Sequence, residues 1–128
     1  MGQTAHYLIT YYLHYHIYEF FMFQICFYVP ATHAEEVKNA LFRAGAGKIG
    51  NYSHCAWQVL GEGQFLPLSG SKAFIGSEDS LEKVPEYKVE VICEKNVIAA
   101  VIQTLKKIHP YETPAYQVIK LENDFVEF

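Results

Sequence analysis

Apolar and polar positions alternate with a period of two from Met22 onward. Phe23, Ile25, Phe27 and Val29 fall on one side and Gln24, Cys26 and Tyr28 on the other, a pattern that predicts a strand. Pro30 ends it, and the period then lengthens. Ala34, Val37, Leu41 and Ala44 recur at helical spacing, Thr32 and Glu35 form a capping-box pattern ahead of them, and Gly45 offers a stop. Alternation returns where Cys55, Trp57 and Val59 interleave with His54, Ala56 and Gln58, predicting a second strand that ends at Gly61 and Gly63. "YKVEVICE" predicts a third, with Tyr87, Val89, Val91 and Cys93 on one face. Asn96 is placed to cap a second helix with an apolar stripe of Ile98, Val101, Ile102, Leu105 and Ile108. Lys106 and Lys107 suit its negative end, and Pro110 stops it. "AYQVIKLE", residues 115–122, predicts the last strand.

The order β-α-β-β-α-β predicts an α+β fold, a ferredoxin-like sandwich with two helices on one face of a four-stranded antiparallel sheet. Residues 61–86 are too many for a plain connection. With Phe65, Leu66, Phe74 and Ile75 around "PLSGSK", they predict an extra hairpin between the second and third strands, placed to carry binding contacts. If the helices cover the Phe23/Ile25/Phe27 face, then Cys26, Tyr28, Ile92, Tyr116 and Val118 are expected on the uncovered one, beside Lys88, Glu90 and Lys120. Apolar burial stabilises by about 25 cal/mol per Å². Such a face therefore predicts a symmetric homo-oligomer.

Composition narrows the function. At 128 residues, 51% apolar, with 9 Phe and 10 Tyr, the chain is expected to form one domain. A formal charge of -4 argues against a surface for nucleic acid or anionic lipid, which needs clustered Lys and Arg. Cys26, Cys55 and Cys93 are an odd set without a C-x-x-C pair, as expected for free thiols in a cytoplasmic protein. Residues 1–21 hold five of the Tyr and three of the His but no Lys or Arg. They match neither a secretory signal nor a membrane span. The expectation is an aromatic leader outside the domain, with 22–128 as the single domain.

Two stretches concentrate the chemistry. "AGAGKIGNYSH" sets Gly45, Gly47 and Gly50 at the G-x-G-x-x-G spacing. That fingerprint works after a strand and before a helix, whose N-terminal N–H groups meet the phosphate. Here the order is reversed, so a tight turn using positive φ is expected instead, with an anion nest as a weaker alternative. "HPYETP", residues 109–114, ends the second helix in a turn stiffened by Pro110 and Pro114 that presents His109, Tyr111 and Glu112. His109 and Glu112 are candidate divalent-metal ligands, with His54 or Cys55 if the fold brings them together. For acid–base catalysis His109, Tyr111 and Glu112 are suitable groups, although nothing marks a substrate-holding partner.

"GAGKIGNYSHCAW", "GEGQFLPLSGSKAFIG", "YKVEVIC" and "HPYETPAYQV" together resemble the insert domain of the YqfO-type proteins of the NGG-interacting-factor-three-like family, over about Met22 to Glu122. That insert is itself similar to the CutA and PII-like proteins. The resemblance implies a ferredoxin-like fold and trimer-type self-association. The longer members carry flanking halves with a dinuclear metal site and hydrolase-like or cyclohydrolase-like names; these 128 residues contain no such halves, so a non-enzyme is expected. The motif positions carried over are Gly45, Gly47, Gly50, Asn51, Tyr52, Cys55, Gly61, Gly63, Phe65, Pro67 and Gly76, with the turn His109, Pro110, Tyr111, Glu112 and Pro114. They are expected to gather near subunit boundaries as ligand or interface residues. The leading expectation is an oligomeric PII/CutA-like module binding a small ligand or partner protein, with no required cofactor. The alternatives are a copper- or zinc-binding protein of CutA type and a small hydrolase or nucleotide-processing enzyme.

Overall fold

The computed structural model describes residues 22–122. The expectation for residues 1–21 lies outside them, as do residues 123–128. Strands β1 (Met22–Pro30), β2 (Trp57–Phe65), β3 (Glu82–Glu94) and β4 (Tyr116–Lys120) form one antiparallel sheet in the order β2-β3-β1-β4. Helix α1 (Ala34–Arg43) follows β1, and α2 (Ile98–Ile108) follows β3. This is the α+β, β-α-β-β-α-β arrangement that the periodicity predicts.

The core forms where the two periods meet. Ile25, Phe27 and Val29 of β1 lie opposite Val91, Val89 and Tyr87 of β3. Over them pack Val37 and Leu41 of α1 and Val101 and Leu105 of α2, all fully buried. Each such side chain stabilises the fold by about 1.5–3 kcal/mol relative to exposure.

Several local expectations are corrected. The Thr32–Glu35 capping box does not form: residues 31–33 make a short 3₁₀ turn, and the Thr32 hydroxyl bonds the His33 ring Nδ1 at 2.8 Å. Asn96 does not cap α2, whose first turn follows Val97 and a backbone bond from Val97 N to Glu94 O. Strand β2 does not stop at Gly61 but pairs with β3 as far as Phe65↔Glu82. The glycines fit inside it because the Glu86 side chain of β3 crosses over Gly63, where any Cβ would overlap its carboxylate.

The open face also differs from expectation. Tyr116 and Val118 lie opposite Phe27 and Ile25, and Lys120 opposite Phe23, so all three share the helix side. Cys26, Tyr28 and Ile92 do lie on the face away from the helices, joined there by Trp57 and Val59 of β2 and Ile119 of β4. The misassignment follows from the period of two: a one-residue difference in where β4 joins β1 exchanges its faces. Charged residues of β3 share this face: Glu86, Lys88, Glu90 and Glu94 alternate with the buried positions, and Lys88 and Glu90 lie 3.5 Å apart. Trp57 is 59% exposed, and Val59 and Ile119 are exposed with it.

Candidate functional site

The glycine turn lies at one end of the sheet. Gly45 and Gly47 have φ of 113° and 83°, which reverses the chain straight after α1. Gly47 N donates to Ile92 O at 2.8 Å, and Gly47 O accepts from Cys55 N at 2.9 Å. The Gly47 N–H therefore serves the sheet rather than an anion. Ile49 and Tyr52 exchange backbone bonds around Gly50 and Asn51, leaving Tyr52 75% exposed. His54 lies against the Phe42 ring, with centroids 4.8 Å apart. Cys55 and Trp57 line a shallow pocket on the open face with Glu90 and Ile92.

"HPYETP" lies at the opposite end, where β1 runs three residues past its last pairing with β4, Phe27↔Tyr116. Here His109 is 5% exposed, and its Nε2 lies 2.6 Å from Tyr28 O. On the other side of the ring, Tyr111 N donates to Nδ1 at 3.1 Å. One nitrogen must therefore carry hydrogen and the other a lone pair, which fixes the neutral Nε2–H tautomer. Burial pushes the His109 pKa down; the Tyr28 carbonyl and Glu86 oppose that, and His33 adds to it.

The extra hairpin is not a separate element: β2 and β3 themselves continue as a hairpin to Phe65↔Glu82, and its tip, the strandless loop of residues 66–81, returns to this turn. Lys72 N donates to Glu112 Oε2 at 3.0 Å, across 40 residues of sequence. Phe65 meets Tyr111 edge to face at 5.6 Å, and Phe74 meets His33 in the same way at 5.1 Å. Between hairpin and turn is a cavity of about 330 Å³, with Tyr28, Phe65, Pro67, Phe74 and Tyr111 among its walls. Glu86, Glu112, Gln64 and Ser71 are its polar lining, joined by Thr113. Ser71 Oγ is buried without a hydrogen-bond partner among the described residues, and the buried Tyr111 hydroxyl lies beside the Glu86 carboxylate. Burial first, and Glu86 second, push the Tyr111 phenol well above its usual range.

Of the residues singled out by sequence, Phe65, Pro67, Tyr111 and Glu112 line this cavity, while His109 holds its floor to β1. Pro110 and Pro114 flank it in the turn, and Gly76 (φ 89°) belongs to the hairpin loop, packed against Glu82. Gly45, Gly47, Gly50, Asn51, Tyr52, His54 and Cys55 belong to the other end of the same chain. His54 is thus remote from the proposed His109/Glu112 metal pair, and both His109 nitrogens are engaged within the fold. Among the described residues no group of three or more His, Cys, Asp or Glu converges as a metal site. Burial and Glu94 push the Cys93 thiol up to about 11, which suits packing and not nucleophilic attack.

The sequence reading names neither Glu86 nor Ser71 as a site residue, and it places Tyr28 on the open face without the cavity. The available signal for Glu86 was Gly63 itself, since a strand glycine marks a close approach by a neighbouring group. Gly63→Ala is expected to displace Glu86 while costing less than about 1 kcal/mol, because a flexible side chain can move aside. The Tyr111 ionisation midpoint should then fall, measured by ultraviolet difference titration; an unchanged midpoint would disconnect Glu86 from Tyr111.

No family model matches the chain. Its sequence is 46% identical over 94 residues to a Mycobacterium leprae protein named "GTP cyclohydrolase 1 type 2 homolog", a match covering 73% of this chain and 24% of that one. The structure matches a Bacillus cereus protein related to NIF3 with a TM-score of 0.69 and 42% identity, over 81% of this chain and 26% of the other. The chain is similar to NIF3-like proteins over this one domain. It spans about a quarter of the length of the NIF3-like relatives it matches. The domain also shares its fold with the divalent cation tolerance protein CutA of Archaeoglobus fulgidus, at a TM-score of 0.57 and 20% identity, covering 83% and 92% of the two chains.

Proposed function

We propose that this domain is a non-enzymatic, cytoplasmic, self-associating module of the PII/CutA kind, favouring a trimer, that binds a small ligand at the hairpin cavity. The observation carrying this reading is the position of Tyr28. Its side chain belongs to the open sheet face and also lines the cavity, so a second copy laid over that face would close one side of the ligand site. Trp57, Val59 and Ile119 give the face the apolar surface that association requires. The turns supply rigid walls, and His109, one of the three acid–base candidates in the sequence, is occupied in holding the turn to β1.

Light scattering at tens of micromolar is expected to give a multiple of the chain mass. Trp57→Glu should raise the half-assembly concentration at least tenfold, since it would bury an unpaired charge. A single-chain mass for the wild type would overturn the reading. So would turnover of nucleotide substrates that Glu112→Gln abolishes.

A further inference from the structure

We infer that the hairpin cavity is a site for a small organic cation, an amine carried on an aromatic or aliphatic body, held against the Glu86 carboxylate. The inference rests on the cavity being a ligand site and goes further by naming the ligand's chemistry. Its size, about 330 Å³, is at the lower end of small-molecule sites. Four aromatic side chains, Tyr28, Phe65, Phe74 and Tyr111, contribute to the lining. Aromatic faces attract ammonium groups and repel anions, most strongly where water is excluded. Among the described residues no Lys, Arg or His lines the cavity, whereas two carboxylates do. A phosphate or carboxylate ligand would therefore meet negative charge without a counter-charge.

The two carboxylates are not equivalent. Glu112 already accepts the Lys72 N–H that ties the hairpin to the turn. Glu86 forms no ion pair among the described residues, although its side chain lies across Gly63 at the cavity wall. In the same lining the buried Ser71 hydroxyl has no partner among the described residues, and the Tyr111 hydroxyl lies beside the Glu86 carboxylate with its oxygen still able to accept. An ammonium offers three donors. Glu86 can accept one, and each hydroxyl can accept another, so a single bound amine satisfies groups that are costly to leave unpaired.

The test is a nuclear magnetic resonance titration of the full chain with three probes of similar shape: 2-phenylethylammonium, neutral 2-phenylethanol and anionic 3-phenylpropionate. The ammonium is expected to shift the Ser71 and Tyr111 amides saturably, with an affinity at least tenfold above either of the others. Glu86→Gln, close in size to the native residue, should remove that tenfold preference while leaving alcohol binding within about twofold. Equal binding of all three probes, or an unchanged preference in Glu86→Gln, would overturn the cation inference and leave the cavity as a ligand site. Absence of saturable shifts with every probe up to 10 millimolar would overturn both.

Discussion

His109→Ala is expected to lower the stability of the fold by about 2–4 kcal/mol, measured by urea unfolding at neutral pH. The imidazole is buried, and two backbone groups depend on it. Without it Tyr28 O loses a donor and Tyr111 N an acceptor. A buried polar group left unpaired costs about 1–3 kcal/mol, and the vacated volume adds to that. The same substitution should change the response to pH. Burial holds the folded pKa of His109 below its ordinary value, so in mild acid the unfolded chain binds a proton that the folded chain resists. The stability from neutral His109 is complete above the unfolded pKa of about 6.5. It is lost as pH falls from there through the lower folded value. His109→Gln removes the titration yet retains a donor and an acceptor, so it should lose this acid step with a smaller cost at neutral pH. An alanine variant within about 0.5 kcal/mol of wild type, with the acid step intact, would show that His109 does not fasten the turn.

Gly47→Ala should have a comparable effect by a different route. With φ at 83°, Gly47 occupies a region that costs a residue with a Cβ about 1–2 kcal/mol. An added Cβ would also lie 2.8 Å from Phe42 Cδ1 and 3.1 Å from the Cys55 carbonyl oxygen. Relief by movement is restricted because Gly47 is bonded to Ile92 on one side and Cys55 on the other. Strain and overpacking together predict a loss of about 2–4 kcal/mol. Gly50 provides the comparison: its φ is also positive, at 56°, but an added Cβ meets nothing within 4 Å. Gly50→Ala should therefore cost only about 1 kcal/mol. Equal thermal denaturation midpoints for the two variants would mean that local backbone preference alone, without crowding, sets the cost at Gly47.

The glycine spacing thus identifies a structural need and not a phosphate. That much was legible in the sequence, because a G-x-G-x-x-G that ends a helix presents the wrong end of the helix to an anion. Element types were legible for the same kind of reason: β1 and α1 differ in apolar period, two against nearly four, and both patterns are uninterrupted. The face of β4 was not legible. Tyr116 and Val118 alternate as cleanly in either register, and only pairing with Phe27 and Ile25 places them under the helices. The Thr32 cap fails because Thr32 has a nearer partner in His33, a competition that spacing does not reveal.

The candidate site was legible in halves. "HPYETP" and the Phe65/Pro67 stretch each stood out, and sequence alone did not say that they meet. Their contact depends on β2 and β3 extending beyond the end of β1, so that the loop can fold back and Lys72 can reach Glu112. Grouping the glycine turn with them was reasonable from motif density, but within one chain the sheet separates the two. Gly47 is tied near the start of β1 through Ile92, the partner of Gln24, whereas His109 is tied near its end. Only contacts between copies could bring such stretches together.

Whether copies cover the open sheet face can be read from Trp57, the chain's one tryptophan, which lies on that face and is 59% exposed in a single chain. The deciding measurement is its fluorescence emission over a dilution series from tens of micromolar to nanomolar. Burial between copies predicts blue-shifted emission at high concentration that moves to the red as the assembly dissociates. Emission characteristic of a water-exposed indole, unchanged across the whole series, would contradict it.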